Sequence, residues 1–131
     1  MVTKENTMKF YRCDKCGNII CKIEDSGMKP FCCGSVMEEL IPQVSEKEIG
    51  EKHIPECKKD GNTFHVCVGK EMHPSTPEHY IQWIYVETNK GGYLRFLSSK
   101  EEPKACFCLC EGEDVVAVYA YCNIHGFWKK V

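Results

Sequence analysis

The 131-residue sequence has no run of basic residues longer than a pair, and its formal net charge is only −2. Proteins that bind nucleic acid or acidic membrane surfaces usually concentrate lysine and arginine in one patch. The charge pattern therefore argues against nucleic acid or a membrane surface as the main partner.

Long apolar segments are also missing. No apolar run approaches the roughly 20 residues that are needed to cross a bilayer. Residues 1–8 are mostly polar and lack the apolar core of a signal peptide. We therefore expect a soluble cytoplasmic protein that makes no membrane contact.

A sustained helical period is absent as well, and there is no internal repeat or low-complexity tract. From residue 51 onward, short runs rich in Val, Ile, Tyr, Phe and Trp alternate with turn signals. Such spacing predicts an antiparallel β-sandwich, for which roughly 80 residues provide one modest core. The predicted strands cover residues 63–69, 81–86, 93–97, 105–110 and 115–121.

Cysteine, in contrast, is abundant, with eleven residues in the chain. An odd number cannot pair off completely within one chain. In a reducing cytosol, cysteines more often bind metals or fill small apolar spaces than form disulfides.

Four of these cysteines form two close pairs near the N-terminus, Cys13-x-x-Cys16 and Cys32-Cys33, and a glycine follows each pair. Four thiolates make a tetrahedral sulfur site that suits zinc or iron. Two disulfides are the alternative. Adjacent ligands are unusual in zinc ribbons, which favours iron. The segment is shorter than the ~40 residues that usually fold unaided, so metal binding would supply its folding free energy.

The other cysteines have simpler explanations. Cys106, Cys108 and Cys110 alternate along a predicted strand and therefore share one of its faces. They could form a ligand cluster, but small apolar side chains on one side of a sheet explain them more simply. The same holds for Cys67 between two valines, and Cys57 lies in a polar stretch that we expect to be exposed.

Cys122 and His125 lie three positions apart near the C-terminal end. Three extended residues span roughly 10 Å, whereas one metal ion would hold both donors at about 2.0–2.3 Å. The chain must therefore turn at Asn123-Ile124 if both bind one ion, and Asn123 and Gly126 tolerate turn geometry. Further ligands would have to come from upstream.

Only five histidines can supply those ligands. His65 lies inside a predicted strand with no ligand-like residue beside it in sequence, so we expect a structural role. The other four lie in predicted loops or at strand edges, where β scaffolds commonly display functional groups. Scattered surface histidines are the alternative. The four are His53, His73, His79 and His125.

The motifs together resemble the desulfoferrodoxin family of two-iron superoxide reductases, over nearly the whole chain. The paired cysteines at residues 13–16 and 32–33 are similar to its desulforedoxin-type iron site. Three separated segments are similar to its catalytic domain in both spacing and flanking residues. They are Glu-Lys-His-Ile-Pro at 51–55, His-Pro-x-x-x-x-His-Tyr-Ile-x-Trp-Ile at 73–84, and Cys-Asn-x-His-Gly-x-Trp at 122–128.

The resemblance implies an all-β chain with two domains. Residues 1–40 would form a small metal-knuckle domain with one iron, and residues 41–131 an immunoglobulin-like antiparallel β-sandwich with a second iron. Residues 38–50 read as the connecting segment. The implied ligands of the first iron are Cys13, Cys16, Cys32 and Cys33. The implied ligands of the second are His53, His73, His79 and His125 in a plane and Cys122 along the axis.

The activity implied by this resemblance is the one-electron reduction of superoxide to hydrogen peroxide. Lys52 would attract the anion, and Glu51 resembles the family glutamate that fills the open iron position after product leaves. A solvated charged turn is the alternative for both residues. The resemblance further implies a rubredoxin-type electron donor and a homodimer. The N-terminal iron either relays electrons or only stabilises the fold.

Three other functions stay open at this point. A zinc ribbon on a β-sandwich would be a binding module without chemistry. A chain using only its N-terminal iron would be a simple electron carrier. A non-haem oxygenase would need two histidines and one carboxylate.

Overall fold

The computed structural model describes residues 8–44 and 48–131. Residues 45–47 of the predicted connecting segment, and residues 1–7, lie outside this part. The chain divides into two compact units, with the division between Ile41 and Pro42. In the described residues, every regular element except one short 3-10 helix is a strand, so the all-β prediction is confirmed. These residues include no helix long and apolar enough to span a membrane.

The first unit is built from five short strands. Three of them form an antiparallel sheet in the order β2-β1-β5, and the other two form a hairpin. In residues 8–41 a small buried apolar cluster contains Tyr11, Cys13 and Met37, against which Ile20 and Cys32 pack, and Phe10 is also buried. So small a core provides little hydrophobic stabilisation. The strands are β1 Lys9–Arg12, β2 Ile19–Lys22, β3 Phe31–Cys32, β4 Ser35–Val36 and β5 Glu38–Glu39.

The second unit is a sandwich of two antiparallel sheets. The sheets have the orders β10-β7-β6 and β12-β11-β8-β9, the three-plus-four division of an immunoglobulin-like fold. Valine, isoleucine and aromatic side chains from both sheets fill the space between them. A 3-10 helix, Glu48–Lys52, precedes the strands. The strands are β6 Pro55–Asp60, β7 Thr63–Val68, β8 Ile81–Thr88, β9 Gly91–Phe96, β10 Lys104–Cys108, β11 Val115–Cys122 and β12 Gly126–Lys130.

All five strands predicted in this unit are present, but two further strands escaped prediction. Five of the six residues of β6 are exposed, so this strand lacks the apolar alternation by which strands are recognised. The strand β12 is short and directly follows the Cys122–His125 turn. Cys106 and Cys108 share a face of β10 as predicted, but that face is exposed, and Cys110 lies beyond the end of the strand.

One end of the sandwich collects the loops that carry the histidines. The strands β6, β8 and β12 begin at this end, and β7 and β11 finish there. The cross-strand partners at this end are Pro55–Val68, Ile81–Cys122 and Cys122–Gly126. The β7–β8 loop packs tightly against the 3-10 helix at Gly69, whose φ is +93°. A Cβ there would lie 2.6 Å from the Lys52 carbonyl oxygen, so only glycine fits.

Candidate metal centres

The four loop histidines converge at this end of the sandwich. Ring centroids of neighbours are 4.6 Å apart for His53–His73 and His73–His79, 5.0 Å for His79–His125 and 4.8 Å for His125–His53. The rings of His53 and His79, on opposite sides, are 6.2 Å apart. These distances describe a nearly square arrangement, which we call the histidine cluster.

The donor atoms of this cluster point towards one another. His53 Nε2 lies 3.0 Å from His73 Nε2 and 3.1 Å from His125 Nδ1. The donor atoms of His53, His79, His125 and Cys122 all lie within 4.8 Å of one another. Within the described residues, the buried Nε2 of His79 has no hydrogen-bond partner. A buried nitrogen without a partner is costly, so this donor set fits a metal ion at its centre.

Burial favours the neutral form of two members of the histidine cluster, His73 and His79. It lowers the pKa of His73 to about 4, with a further contribution from the neighbouring imidazoles. Burial, followed by the proximity of His125, also lowers the pKa of His79. Neutral imidazoles keep the lone pairs that metal coordination requires.

Neighbouring groups fix the orientation of these rings. His73 Nδ1 lies 2.7 Å from the Pro74 carbonyl oxygen, to which it can donate, leaving Nε2 free to coordinate. The indole of Trp128 stacks on His53 with centroids 4.9 Å apart. The carbonyl oxygen of His125 accepts hydrogen bonds from Trp128 Nε1 at 3.1 Å and from Gln43 Nε2 at 2.9 Å.

Cys122 is fully buried at the end of β11 and forms part of the apolar core. Its sulfur lies 4.0 Å from His125 Nδ1 and accepts a hydrogen bond from the His125 backbone N–H at 3.4 Å. The chain turns over residues 123–125, as the sequence predicted. The His125 backbone N–H helps to fix the position of the sulfur beside the imidazoles.

Asn123 holds the two ligand-bearing loops together. Its Oδ1 accepts a hydrogen bond from the Tyr80 N–H at 3.0 Å, and its Nδ2 donates to the Glu78 carbonyl at 3.0 Å. Its backbone N–H also donates to the Tyr80 carbonyl at 3.2 Å. These bonds fasten the residues on either side of His79 to the Cys122–His125 turn. The sequence signalled Asn123 only as a turn former.

We predict that Asn123→Ala weakens iron retention at the histidine cluster, because the His79 loop loses two side-chain hydrogen bonds. Loss of such bonds should also cost about 1–3 kcal/mol of stability. The measurement is iron content after dialysis against a chelator, together with a urea unfolding curve.

Asn89→Ala is the matched control for this variant. Asn89 makes the same kind of bridge at the opposite end of the sandwich, with its Oδ1 accepting from the Asp114 N–H at 2.9 Å. It should lose stability but keep its iron. Equal iron loss in both variants would contradict a specific role for Asn123.

Glu51 and Lys52 end the 3-10 helix immediately before His53, and both side chains are exposed. The Glu51 carbonyl oxygen accepts a hydrogen bond from the Lys70 N–H at 2.7 Å, and the Lys52 carbonyl oxygen lies close to Gly69 of the β7–β8 loop. Within the described residues neither side chain forms an ion pair or a hydrogen bond. Both are therefore free to face a small solute near His53, and their predicted roles stay predictions.

The four N-terminal cysteines form a second site. The Sγ atoms of Cys16 and Cys32 are 3.6 Å apart, and those of Cys32 and Cys33 are 3.9 Å apart. All four sulfurs lie within 4.8 Å of one another. A tetrahedron with metal–sulfur bonds of 2.3 Å has edges of about 3.8 Å. The four sulfurs therefore fit one metal ion, and we call this group the tetracysteine site.

Backbone geometry explains how adjacent cysteines can both reach this site. Cys33 has a φ of +52°, a left-handed conformation that is uncommon for residues other than glycine. This conformation brings its sulfur to the same side as that of Cys32. On the other side of the site, the Gly17 N–H donates to the Cys13 carbonyl at 2.8 Å and closes the first knuckle.

The sulfurs share negative charge unequally. The backbone N–H of Cys16 lowers the pKa of Cys13 to about 6, with a further contribution from that of Lys15. Contact with the sulfurs of Cys16 and Cys13 raises the pKa of Cys32 to about 12. A cation at the centre would allow all four groups to be thiolates, as in structural sulfur sites.

The structure thus brings all nine predicted ligands into two groups, while their assignment as ligands remains a prediction. The orienting groups Pro74, Gln43 and Trp128 were not predicted as such. Trp128 had a signal in the sequence, because this residue ends a recognised motif. There was none for the Pro74 backbone carbonyl or for Gln43, which lies 82 positions from His125.

Comparisons with known proteins agree with this geometry. A model of the desulfoferrodoxin family matches residues 45–131. The desulfoferrodoxin of Nitratidesulfovibrio vulgaris is 36% identical over 124 residues, covering 95% of this chain and 96% of that protein. A superoxide reductase of Pyrococcus abyssi is 39% identical and covers 62% of this chain and 85% of its own. The crystal structure of the superoxide reductase from Treponema pallidum has a TM-score of 0.81 at 29% identity, covering 98% of this chain and all of that one.

Proposed function

Because this chain belongs to the desulfoferrodoxin family, we propose that it reduces superoxide to hydrogen peroxide at an iron held by the histidine cluster and Cys122. The reaction consumes one superoxide, one electron and two protons and releases one hydrogen peroxide. Residues 41–131 form the catalytic domain, and residues 1–40 hold a second iron in the tetracysteine site.

The observation that carries this proposal is the convergence of four imidazoles and one thiolate on a single point. Oxygenases with two histidines and one carboxylate use a different donor set, and the group found here contains no carboxylate. When bound, ferrous iron supplies one electron to superoxide, and its neutral imidazole ligands and one thiolate leave it a net charge of +1, which attracts an anion.

The chain's own residues prepare this site. Burial of His73 keeps the imidazole unprotonated at neutral pH, and the His125 N–H holds the Cys122 sulfur in place. A thiolate ligand donates electron density to iron, a recognised influence in haem enzymes. Because Cys122 is fully buried, bulk water has no access to its sulfur.

Lys52 attracts superoxide to the site. Its ammonium is exposed one residue from His53, and charge steering of this kind raises association rates by roughly 10-fold or more at low salt. Glu51, beside it, supplies a carboxylate that competes with solvent for the site after product has left.

We predict that Lys52→Ala slows the second-order reaction with superoxide by about 10-fold at low salt and flattens its salt dependence. Stopped-flow or pulse-radiolysis rates at several ionic strengths measure both effects. Lys90→Ala removes the same charge from the turn between β8 and β9, at the opposite end of the sandwich, and should change the rate less than two-fold. Identical rates and salt slopes for the two variants would remove the steering role.

An external donor must return the iron to the ferrous state, because the reaction is a reduction. A rubredoxin-type protein is the proposed donor, a homodimer the proposed assembly and the cytoplasm the proposed compartment. The tetracysteine site either relays electrons or stabilises its domain.

Product stoichiometry tests the proposed function. A reductase supplied with a donor releases one hydrogen peroxide per superoxide and no oxygen, whereas a dismutase releases half as much peroxide together with oxygen. Metal analysis should find two irons per chain. A colourless zinc protein without activity would identify a binding module, and visible absorption without superoxide consumption would identify an electron carrier.

A further inference from the structure

The exposed face of the sheet β10-β7-β6 carries a thiol–imidazole pair that the proposed mechanism does not use. Cys106 on β10 lies directly opposite His65 on β7. Its Sγ is 3.5 Å from His65 Nδ1, and both side chains are exposed. The cysteine is not in a disulfide. A hydrogen-bonded imidazole beside a thiol is the arrangement that activates sulfur as a nucleophile.

The side chains around this pair are mainly basic. Lys58 is paired with His65 on its other side, and Lys104 stands two residues before Cys106 on the same face. Together with Arg95 these residues line an open depression of about 690 Å³ around the pair. Among the residues that the structure describes, Glu56 is the one carboxylate that lines this depression. Basic neighbours and exposure are the features that distinguish reactive cysteines from inert ones.

We propose that Cys106 is a peroxide-reactive thiol and that His65 is its base. His65 takes the thiol proton, and the sulfur attacks one oxygen of hydrogen peroxide. The O–O bond breaks, one oxygen stays on sulfur as a sulfenic acid, and the other leaves as water with the proton returned by His65. The sulfur is oxidised by two electrons and the peroxide is reduced by two.

Reduction by a low-molecular-weight thiol completes the cycle. A first thiol condenses with the sulfenic acid, which gives a mixed disulfide and water. A second thiol then attacks this mixed disulfide, leaves as a disulfide with the first thiol and restores the Cys106 thiol. The proposed function supplies the oxidant, since hydrogen peroxide is its product. The inference depends on the proposed function only in that this function would supply the hydrogen peroxide.

The test compares Cys106 with Cys108 in the full-length, iron-loaded protein. Cys108 is also exposed on the same face of β10, but it lies opposite Thr63 rather than a histidine. Hydrogen peroxide is added at increasing concentration, and the loss of free thiol at each position is followed by alkylation and fragment-ion mass spectrometry. Dimedone captures the sulfenic acid, and a sample in which catalase has removed the hydrogen peroxide serves as the blank.

Cys106 should lose its free thiol at least 10-fold faster than Cys108, and His65→Gln should reduce that difference at least five-fold. Both His65→Gln and Cys106→Ser should reduce superoxide at the unaltered rate, because neither residue belongs to the histidine cluster. Equal rates for the two cysteines, or an unchanged rate in His65→Gln, would overturn the proposal. Since peroxide is added directly, a failure here is distinguishable from a failure of the superoxide activity.

Discussion

Replacing Cys122 with serine should abolish superoxide reduction, lowering the second-order rate by about 100-fold or more, while the tetracysteine site keeps its metal. The serine hydroxyl still fits the space of the Cys122 side chain and can accept a hydrogen bond from the His125 N–H. The turn at residues 123–125 should therefore persist. What is lost is the anionic, polarisable sulfur that donates electron density to the iron. A neutral oxygen in this apolar site also costs about 1–3 kcal/mol.

Two measurements on the same sample separate loss of chemistry from loss of metal. Metal analysis should still find iron in the histidine cluster of Cys122→Ser, and pulse radiolysis should find almost no reaction with superoxide. Cys67→Ser is the matched control, because Cys67 is a half-buried cysteine of the same unit that lies on β7, outside the cluster. Full activity in Cys122→Ser would refute the proposed ligand set.

Replacing Cys32 with serine should unfold the first unit but leave superoxide reduction almost unchanged. The tetracysteine site loses a sulfur that lies 3.6 Å from one neighbour and 3.9 Å from another. Only four apolar residues are buried in the described part of the first unit, namely Phe10, Tyr11, Cys13 and Met37, whereas structural metal sites contribute apparent binding energies of about 10–16 kcal/mol. We therefore expect residues 8–41 to unfold and superoxide reduction to stay within about two-fold of the wild-type rate.

Metal content should fall from two ions to one per chain, and hydrogen exchange should show loss of protection confined to the first unit. Cys21→Ser is the control within that unit. Cys21 is a half-buried residue of β2 whose sulfur contacts Met8, and it lies outside the tetracysteine site. A folded first unit in Cys32→Ser would show that its small core suffices.

The sequence predicted best what depends on local chemistry. The turn after Cys122 follows from an asparagine, a glycine and the need to bring two donors together. The strands β8 and β11 follow from dense runs of Val, Ile, Tyr and Trp, which bury both faces. The strand β6 could not be predicted in this way, because a strand at the edge of a sheet can be almost wholly polar.

What the sequence could not predict depends on the register between distant strands. Cys106 and His65 are 41 residues apart, and only the antiparallel pairing of β10 with β7 places them side by side. The sequence neighbours of His65 include no ligand-like residue, because its partner comes from another strand. The side-chain hydrogen bonds of Asn123 were not predicted for the same reason, since their partners lie 43 and 45 residues away.

The distance along the chain between the members of the histidine cluster has a consequence for protein synthesis. Nitrogen atoms of His53 and His125 lie 3.1 Å apart although 72 positions separate them. A ribosome adding about 5–20 residues per second exposes the tetracysteine site several seconds before it reaches the last histidine. The ligands of the first metal are therefore available during translation, whereas the ligand set of the second is complete only after His125 has been added. Cells starved of iron should accumulate chains that carry the first metal and lack the second.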